Sequence, residues 1–155
     1  MIGNDVIDLA LARKESNWKR KGYLDKIFTA DEQAMIVRAE NPTLMVWSLW
    51  SRKEAVYKIH NRTAHFRGFI PLKIACQADG KVLCGGQFYF TDTIVTAESI
   101  ATVAVLEERQ LSQICYLQDR EEVVKKEGFP YRKTNSKPVS ISHHGRFEQI
   151  VTLTD

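Results

Sequence analysis

The segment Ser48–Lys58, "SLWSRKEAVYK", decides the fold around it. It lacks Gly and Pro and has good helix formers at most positions, so it predicts a helix. At 100° per residue, Trp50, Glu54 and Lys58 lie on one face of that helix. An exposed Glu54–Lys58 pair, which stabilises a helix by ~0.3–0.5 kcal/mol, is the simplest interpretation of this face. A binding site is the alternative. The apolar residues left for the core include Leu49, Val56 and Ile59.

The residues before this segment also predict helices. Thr29–Glu32, "TADE", is a capping box, which predicts a helix from about residue 30 to 40. Asn41 and Pro42 end that helix, and Pro42 is then well placed in the first turn of the next one. This next helix carries the quoted segment and is expected to reach about residue 60. A short helix is also plausible within Lys14–Lys26, ending at Gly22.

The strands are predicted from runs of apolar and β-branched residues. Asp79-Gly80 is a strong signal for a hairpin turn between two of them. Two short strands are expected around "SHHG" within Val139–Leu153. The other predicted strands are Ile2–Leu9, Phe69–Gln77, Lys81–Phe90 and Ser99–Leu106.

The remaining segment, between the strands, is less regular. Residues 107–117 fit a helix or a strand, Asp119–Glu127 predicts a helix with Gly128 as its C-cap, and Tyr131–Pro138 predicts a basic loop. Helices and antiparallel strands that alternate without βαβ regularity predict the α+β class, with an antiparallel sheet packed against helices.

Composition limits the kind of protein. The chain has 155 residues, 44% of them apolar and 26% charged, which is ordinary for one globular domain spanning 1–155. The net charge of +3 suits an anionic partner but is too small to indicate nucleic acid by itself. Three cysteines without metal-ligand spacing argue against zinc and disulfides and favour a reducing, cytoplasmic location. We expect neither a signal peptide nor a membrane span, since no apolar run approaches the ~20 residues that a span needs.

Two further segments carry residues suited to chemistry. In "IGNDVIDL", Asp5 lies in an apolar strand, where an acid is costly to bury unless it is paired or metal-bound. A turn with solvated acids is the alternative. In "VSISHHGRF", residues 139–147, Ser142 and His143 together with Arg146 would suit a phosphate. A polar hairpin turn at His144-Gly145 is the alternative there.

Together the three segments resemble one family, the 4′-phosphopantetheinyl transferases. The family's Gly-x-Asp motif corresponds to Gly3-Asn4-Asp5, and its Trp-Ser-x-Lys-Glu-Ala-x-x-Lys motif is matched by Trp50–Lys58 at every defined position. Its Ser-x-Ser-His motif corresponds to Ser140–His143. This order of motifs, and the segment "IFTADE", resemble the small single-lobe holo-acyl-carrier-protein synthase branch.

The resemblance implies a reaction and roles for residues. The 4′-phosphopantetheine group of coenzyme A would pass to a serine of an acyl or peptidyl carrier protein, with release of adenosine 3′,5′-bisphosphate. Asp5 and Glu54 would bind Mg²⁺, and Glu54 would also accept the serine proton. Lys58 would contact the pyrophosphate, while Ser142 and His143 would hold the nucleotide. Such enzymes place their sites at subunit interfaces, so a homo-oligomer is implied, with a trimer favoured over a dimer.

The sequence departs from the family pattern in two places. The position two residues after Asp5 holds Ile7 rather than an acid, and Asp8 follows as a lesser candidate for the metal. Residues 106–137 look enlarged, which leaves oligomeric state and carrier specificity open. Arg52 and Lys53 fall off the Glu54 face, and we expect them to be solvated or to touch a neighbouring subunit.

The partner is expected to be an acidic carrier protein, and the branch suggests fatty acid biosynthesis without excluding polyketide or peptide carriers. Two alternatives stay open: a non-catalytic coenzyme A-binding relative, and a basic nucleic-acid binder suggested by Trp18 and Tyr23 among lysines. Basic residues that could steer the carrier are Arg13, Lys14, Lys19, Arg20 and Lys21.

Overall fold

A five-stranded antiparallel sheet and one long helix form the main part of the fold in the computed structural model, which describes residues 1–65 and 68–154. The strand order is β1-β5-β4-β3-β2. The strands are β1 Ile2–Asp8, β2 Ile74–Cys76, β3 Lys81–Cys84, β4 Gln87–Val95 and β5 Ser99–Val105. The helices are α1 Leu9–Glu15, α2 Tyr23–Ile27, α3 Ala30–Arg38 and α4 Pro42–Ala64.

A smaller three-stranded sheet lies against β1. Its order is β6-β10-β9, with β6 at Ile114–Leu117, β9 at Val139–His144 and β10 at Phe147–Leu153. A separate hairpin joins β7, Val123–Lys126, to β8, Phe129–Arg132. The prediction of an α+β fold with antiparallel sheets packed against helices is therefore confirmed. Short 3₁₀ helices lie at Pro71–Lys73, Glu108–Gln113 and Arg120–Glu122.

Helix α4 is held close to β1. Its N-terminus is capped by Asn41, whose Oδ1 accepts a hydrogen bond from Leu44 N at 3.2 Å, and Pro42 lies in its first turn as predicted. A Cβ atom added to Gly3 would lie 2.0 Å from the carbonyl oxygen of Ala55. Only glycine therefore lets the strand that carries Asp5 approach the helix this closely. The buried residues of α4 include Val46, Leu49, Val56 and Ile59.

Side chains of β9 cover the open edge of β1. Because β1 is at the edge of its sheet, the N–H groups on its outer side have no strand to pair with. Side-chain atoms of alternate β9 residues accept these hydrogen bonds instead, so they connect the two sheets. The pairs are Asn4 N to Ser140 Oγ at 3.0 Å, Val6 N to Ser142 Oγ at 3.0 Å and Asp8 N to His144 Nδ1 at 2.9 Å.

Local signals in the sequence predicted several elements correctly. Both hydrogen bonds of the Thr29–Glu32 capping box are formed. Residues 77–80 make the turn between β2 and β3 that Asp79-Gly80 predicted. The strands at residues 2–8 and 99–105 are confirmed, as are the two strands around "SHHG". The predicted strand Phe69–Gln77 is shortened to β2, and Gly85-Gly86 divides Lys81–Phe90 between β3 and β4.

Two predicted helices are wrong. Within Lys14–Lys26 the chain ends α1 at Glu15 and starts α2 at Tyr23, and Gly22, with φ of 82°, precedes a helix rather than ending one. Asp119–Glu127 forms a 3₁₀ turn and then β7, because Val123 to Lys126 pair with β8. Glu127 and Gly128, both with positive φ, make the hairpin turn there.

Candidate active site

Asp5 lies in the middle of β1 with its carboxylate only partly satisfied. Its Oδ1 accepts a hydrogen bond from Ser142 Oγ at 3.2 Å. Its Oδ2 is buried and makes no hydrogen bond with any described residue. Burial raises the pKa of Asp5, and the positive charge of Lys58 opposes that rise. An unpartnered carboxylate oxygen in this position is suited to a cation.

Glu54 lies on α4 and lines the same cavity as Asp5. Burial raises the pKa of Glu54 to about 7, the negative charge of Asp5 adds to the rise, and Lys58 opposes it. A carboxyl group with this pKa is poised to gain or lose a proton near neutral pH, which is what a general base requires. The structure therefore brings together the two acids that the sequence singled out.

Lys58 connects the strands on either side of the site. Its Nζ donates to the carbonyl oxygens of Asn4, at 2.6 Å, and Ile141, at 3.0 Å. These bonds use two of the three hydrogens of the ammonium group. Burial lowers the pKa of Lys58, and the charges of Asp5 and Glu54 raise it. The ammonium group is thus held near both carboxylates by the backbone of β1 and β9.

The cavity that Asp5 and Glu54 line has a volume of about 390 Å³. His143, which is exposed, also lines it, so one of the two residues predicted to hold the nucleotide does face this space. Much of the remaining wall is apolar or aromatic, which suits a ligand that is itself partly apolar. The aromatic and aliphatic residues of this wall include Tyr23, Ile27, Trp47 and Trp50.

Ser142, the other predicted nucleotide ligand, is occupied within the chain. Its hydroxyl accepts from Val6 N and donates to Asp5 Oδ1, so it orients the carboxylate. The alternation of β9 explains the difference between the neighbours: side chains of residues 140, 142 and 144 accept hydrogen bonds from β1, whereas His143 lies between them and is exposed. Strand alternation could have predicted this division, but not which strand β9 would meet.

Comparison with known proteins identifies the family. The model of the 4′-phosphopantetheinyl transferase superfamily matches residues 1–119. The chain belongs to this superfamily. The matched residues include Asp5, Glu54 and Lys58, whereas Ser142 and His143 lie beyond them.

Two known proteins are similar to this transferase-superfamily chain. A holo-[acyl-carrier-protein] synthase of Verminephrobacter eiseniae is 35% identical over 57 residues, which are 37% of this chain and 44% of that protein. The match thus spans less than half of the relative's length. The crystal structure of holo-[acyl-carrier-protein] synthase from Neisseria meningitidis aligns with a TM-score of 0.52 at 17% identity, covering 69% of this chain and 97% of that one. This likeness supports the single-lobe fold.

Asp8, the lesser candidate for binding the metal, makes different contacts from Asp5 and Glu54. Its carboxylate caps α1 by accepting from Ala10 N at 3.1 Å, and it pairs with Arg146, whose Nε lies 2.9 Å from Oδ2. The bonds from Arg146 hold the pKa of Asp8 well below its usual range. Asp8 is absent from the residues that line the cavity. Arg146, expected to back a phosphate site, is bonded to Asp8 and also to Glu98.

Lys53 corrects the expectation that the residues beside Glu54 are solvated. Its side chain is 0% exposed, and its Nζ lies 2.8 Å from Glu32 Oε2 and donates to the carbonyl oxygens of Pro71 and Ile74. Glu32 also accepts from Cys76 N at 2.6 Å. The capping-box acid was visible in the sequence, but its buried partner was not. Arg52 is half-buried and donates to Gln77 O and Thr93 Oγ1, both at 3.4 Å.

The basic residues expected to steer a carrier are all exposed. Two of them lie over aromatic rings: Lys19 over Trp18 at 5.6 Å and Arg20 over Tyr23 at 5.4 Å. Since Tyr23 also lines the cavity, this patch borders the candidate site. Across the residues that the structure describes, no helix is both long and apolar enough to cross a membrane.

Proposed function

We propose that the chain is a holo-[acyl-carrier-protein] synthase, which transfers the 4′-phosphopantetheine group of coenzyme A to a serine of an apo carrier protein. The observation that carries this proposal is the pairing of Asp5 and Glu54 at one cavity beside the Lys58 ammonium group. Membership of the superfamily and the partial match to a curated holo-[acyl-carrier-protein] synthase support it.

The carboxylates fit a magnesium ion. Asp5 has a buried, unpartnered oxygen, and the pKa of Glu54 is raised by burial and, to a smaller extent, by the negative charge of Asp5. The described residues contain no cluster of three or more Asp, Glu, His or Cys side chains that could hold a metal. This suits Mg²⁺, which keeps several waters and often takes only one or two carboxylates. When bound, it would neutralise charge on the pyrophosphate oxygens of coenzyme A.

Residues of this chain can accept the proton of the carrier serine and offset part of the negative charge on the phosphates. The serine oxygen of the carrier forms a bond to the phosphorus of the phosphopantetheine group, and the bond from that phosphorus to the leaving adenosine 3′,5′-bisphosphate breaks. Glu54 takes the serine proton, a role worth about 10²- to 10⁴-fold in rate. Lys58, held by two carbonyl groups, offsets negative charge on the phosphates. His143 and the exposed basic patch would contact the nucleotide and the acidic carrier.

The setting of this reaction is part of the proposal. We assign residues 1–155 to one domain, because β1 packs against strands of both sheets. The superfamily resemblance favours a homo-oligomer, with a trimer preferred, acting in the cytoplasm on carriers of fatty acid biosynthesis. Sedimentation equilibrium of the purified chain would decide between monomer, dimer and trimer.

A mass-shift assay tests the transfer. Purified protein, Mg²⁺, coenzyme A and an apo acyl carrier protein should yield a carrier heavier by one phosphopantetheine group. Glu54→Gln should lower the rate by about 10²-fold or more, since the amide cannot accept the proton. Glu121→Gln is the matched control, because Glu121 is exposed and does not line the cavity of Asp5 and Glu54.

Two results would contradict the proposal. If several apo carriers gain no mass while coenzyme A still binds, the chain is a non-catalytic coenzyme A-binding relative. If Glu54→Gln transfers as fast as the wild type, Glu54 has no part in the proton transfer.

A further inference from the structure

Lys58 lines a second cavity, which is distinct from the one that Asp5 and Glu54 line. It has a volume of about 360 Å³ and is bordered by the C-terminal part of α4, by β9 and by the β7–β8 hairpin. Among the residues that the structure describes, four cations and no acid line it, namely Lys58, Arg62, Arg120 and Lys125. The hairpin and β9 lie beyond residue 119, where the superfamily match ends. This cavity therefore belongs largely to a part of the chain that the superfamily match does not include.

Arg62 is the buried cation of this cavity. It is only 7% exposed, and its Nη2 donates to the carbonyl oxygens of Pro130 at 2.7 Å and Val139 at 3.3 Å. The guanidinium group lies 5.2 Å from the ring centre of Phe129 and 5.1 Å from that of Tyr131. Two carbonyls and two rings thus fix its plane and position.

The other end of the Arg62 guanidinium has no partner. Its Nη1 is buried and makes no hydrogen bond with any described residue, and no carboxylate among them pairs with Arg62. A buried cation without an opposite charge is costly. Because the orphaned donor belongs to a residue that lines the cavity, an anion in the cavity would satisfy both the hydrogen bond and the charge.

The remaining cations of the cavity contribute positive charge that is not fully neutralised within the described part of the chain. Lys125 is exposed and forms no ion pair within the described part of the chain. Arg120 pairs with Glu148, which leaves Lys125 as the unpaired cation at the surface. Lys58 donates to carbonyl groups and faces the acids of the first cavity as well.

We propose that this second cavity binds a phosphate dianion, with Arg62 Nη1 as the central donor and Lys125 as the outer cation. A dianion matches this site better than a single carboxylate, because neither Arg62 nor Lys125 has an opposite charge paired with it among the described residues. The site does not depend on the transfer reaction proposed above. The phosphate could be free inorganic phosphate or the 3′-phosphate of coenzyme A.

Calorimetric titration with inorganic phosphate at low salt tests the site directly. Lys125→Glu should weaken phosphate binding by about tenfold, since it replaces a charge-assisted contact with a repulsive one. Lys133→Glu is the matched control: it makes the same charge change at an exposed lysine just beyond β8 that does not line the cavity. It should change the affinity less than about twofold, because exposed charges outside the cavity are screened by solvent.

Arg62→Gln should abolish the binding of phosphate, and thermal unfolding of the variant will show whether the fold is retained. If Arg62→Gln does not fold, the Lys125 and Lys133 variants still decide the question. The proposal is overturned if wild-type protein takes up no phosphate, or if the Lys125 and Lys133 variants bind it equally well.

The source of the phosphate is distinguished by comparing coenzyme A with 3′-dephospho-coenzyme A. If the cavity takes the 3′-phosphate, Lys125→Glu weakens coenzyme A but not the dephospho compound. If it takes free phosphate, Lys125→Glu leaves the affinities of both coenzymes unchanged, and inorganic phosphate binds in their presence. Either result supports a phosphate site, and neither requires that transfer occurs.

Discussion

Glu32, a buried acid that packs against helix α4, and Glu54, a half-buried acid on that helix, have opposite surroundings. Glu32 pairs with Lys53 at 2.8 Å and also accepts backbone hydrogen bonds from Thr29 and Cys76. Glu54, the next residue along the helix from Lys53, has no ion pair among the described residues, and burial, with a smaller contribution from the charge of Asp5, raises its pKa to about 7. The charge of Glu32 is fully compensated within the fold, while the carboxylate of Glu54 remains available to a partner from outside the fold.

The difference teaches how one helix can serve both stability and chemistry. A compensated pair holds the helix against β2 and the turn before it, so the adjacent uncompensated residue has a fixed position. Leaving Glu54 without a partner is costly to the fold but keeps its carboxylate available. The Glu32–Lys53 pair and the Asp5–Glu54 pair should therefore respond in opposite ways to the same kind of substitution.

Removing the compensating cation should have the largest effect. Lys53→Met leaves Glu32 buried without its partner, so we expect the free energy of unfolding to fall by about 3–5 kcal/mol in urea titrations. Adding Glu32→Gln to Lys53→Met should recover part of this loss. Arg52→Met, at the neighbouring half-buried position, should change stability by less than about 1 kcal/mol. Equal losses for the Lys53 and Arg52 variants would show that the buried pair does not anchor the helix.

Glu54 should give the protein a characteristic dependence on pH. Its pKa of about 7 in the fold exceeds its ordinary value of 4.5, so the folded state binds more protons than the unfolded state between these values. The free energy of unfolding should therefore fall as pH rises from about 4.5 to 7, by up to about 3 kcal/mol. Glu54→Gln should flatten the profile and raise stability at pH 8. A profile that Glu54→Gln leaves unchanged would contradict the assigned environment.

The effect of Mg²⁺ on thermal stability should separate the Asp5–Glu54 site from other acids without any activity assay. If Asp5 and Glu54 bind Mg²⁺, its addition at pH 7.5 should raise the melting temperature of the wild type, because the ion binds the folded state. Asp5→Asn should lose this rise. Asp8→Asn should keep the rise in spite of its lower starting stability, since Asp8 is bonded to Arg146. An equal rise in both variants would place the ion elsewhere.

The smallest effect is expected at Ser142, whose hydroxyl joins β9 to β1. Ser142→Ala removes the acceptor of Val6 N and the donor to Asp5, so unfolding should become easier by about 1–3 kcal/mol. Ser112→Ala, at an exposed serine whose hydroxyl donates to Arg109 O, is the control and should cost less than about 0.5 kcal/mol. A Ser142 variant as stable as the control would show that the hydroxyl is not part of the connection.

The sequence predicted best what neighbouring residues decide. The capping box at Thr29, Pro42 in the first turn of α4 and the Asp79-Gly80 turn are local, and each was confirmed. The pairing of Asp5 with Glu54 came from resemblance, and the two acids do line one cavity. The local predictions succeeded because short-range geometry decides them, whereas the roles of Asp5 and Glu54 stay predictions.

The failures depend on contacts distant in sequence. Lys53 looked solvated because its partner Glu32 is 21 residues away and on another helix. Val123–Lys126 looked helical because pairing with β8, rather than its own composition, decides its structure. Ser142 looked free to hold a phosphate because the strand it meets lies at the other end of the chain.

The hydrogen bonds between β1 and β9 also determine when the edge of β1 is covered during synthesis of the chain. Residues 4, 6 and 8 find their acceptors 136 positions later, so the edge of the first strand stays open until the closing hairpin has left the ribosome. Asp5 is oriented only when that hairpin docks. A nascent chain that has not yet made residues 139–153 therefore contains Asp5 and Glu54, but its candidate site is incomplete. The site is complete only after β9 and β10 have formed and docked.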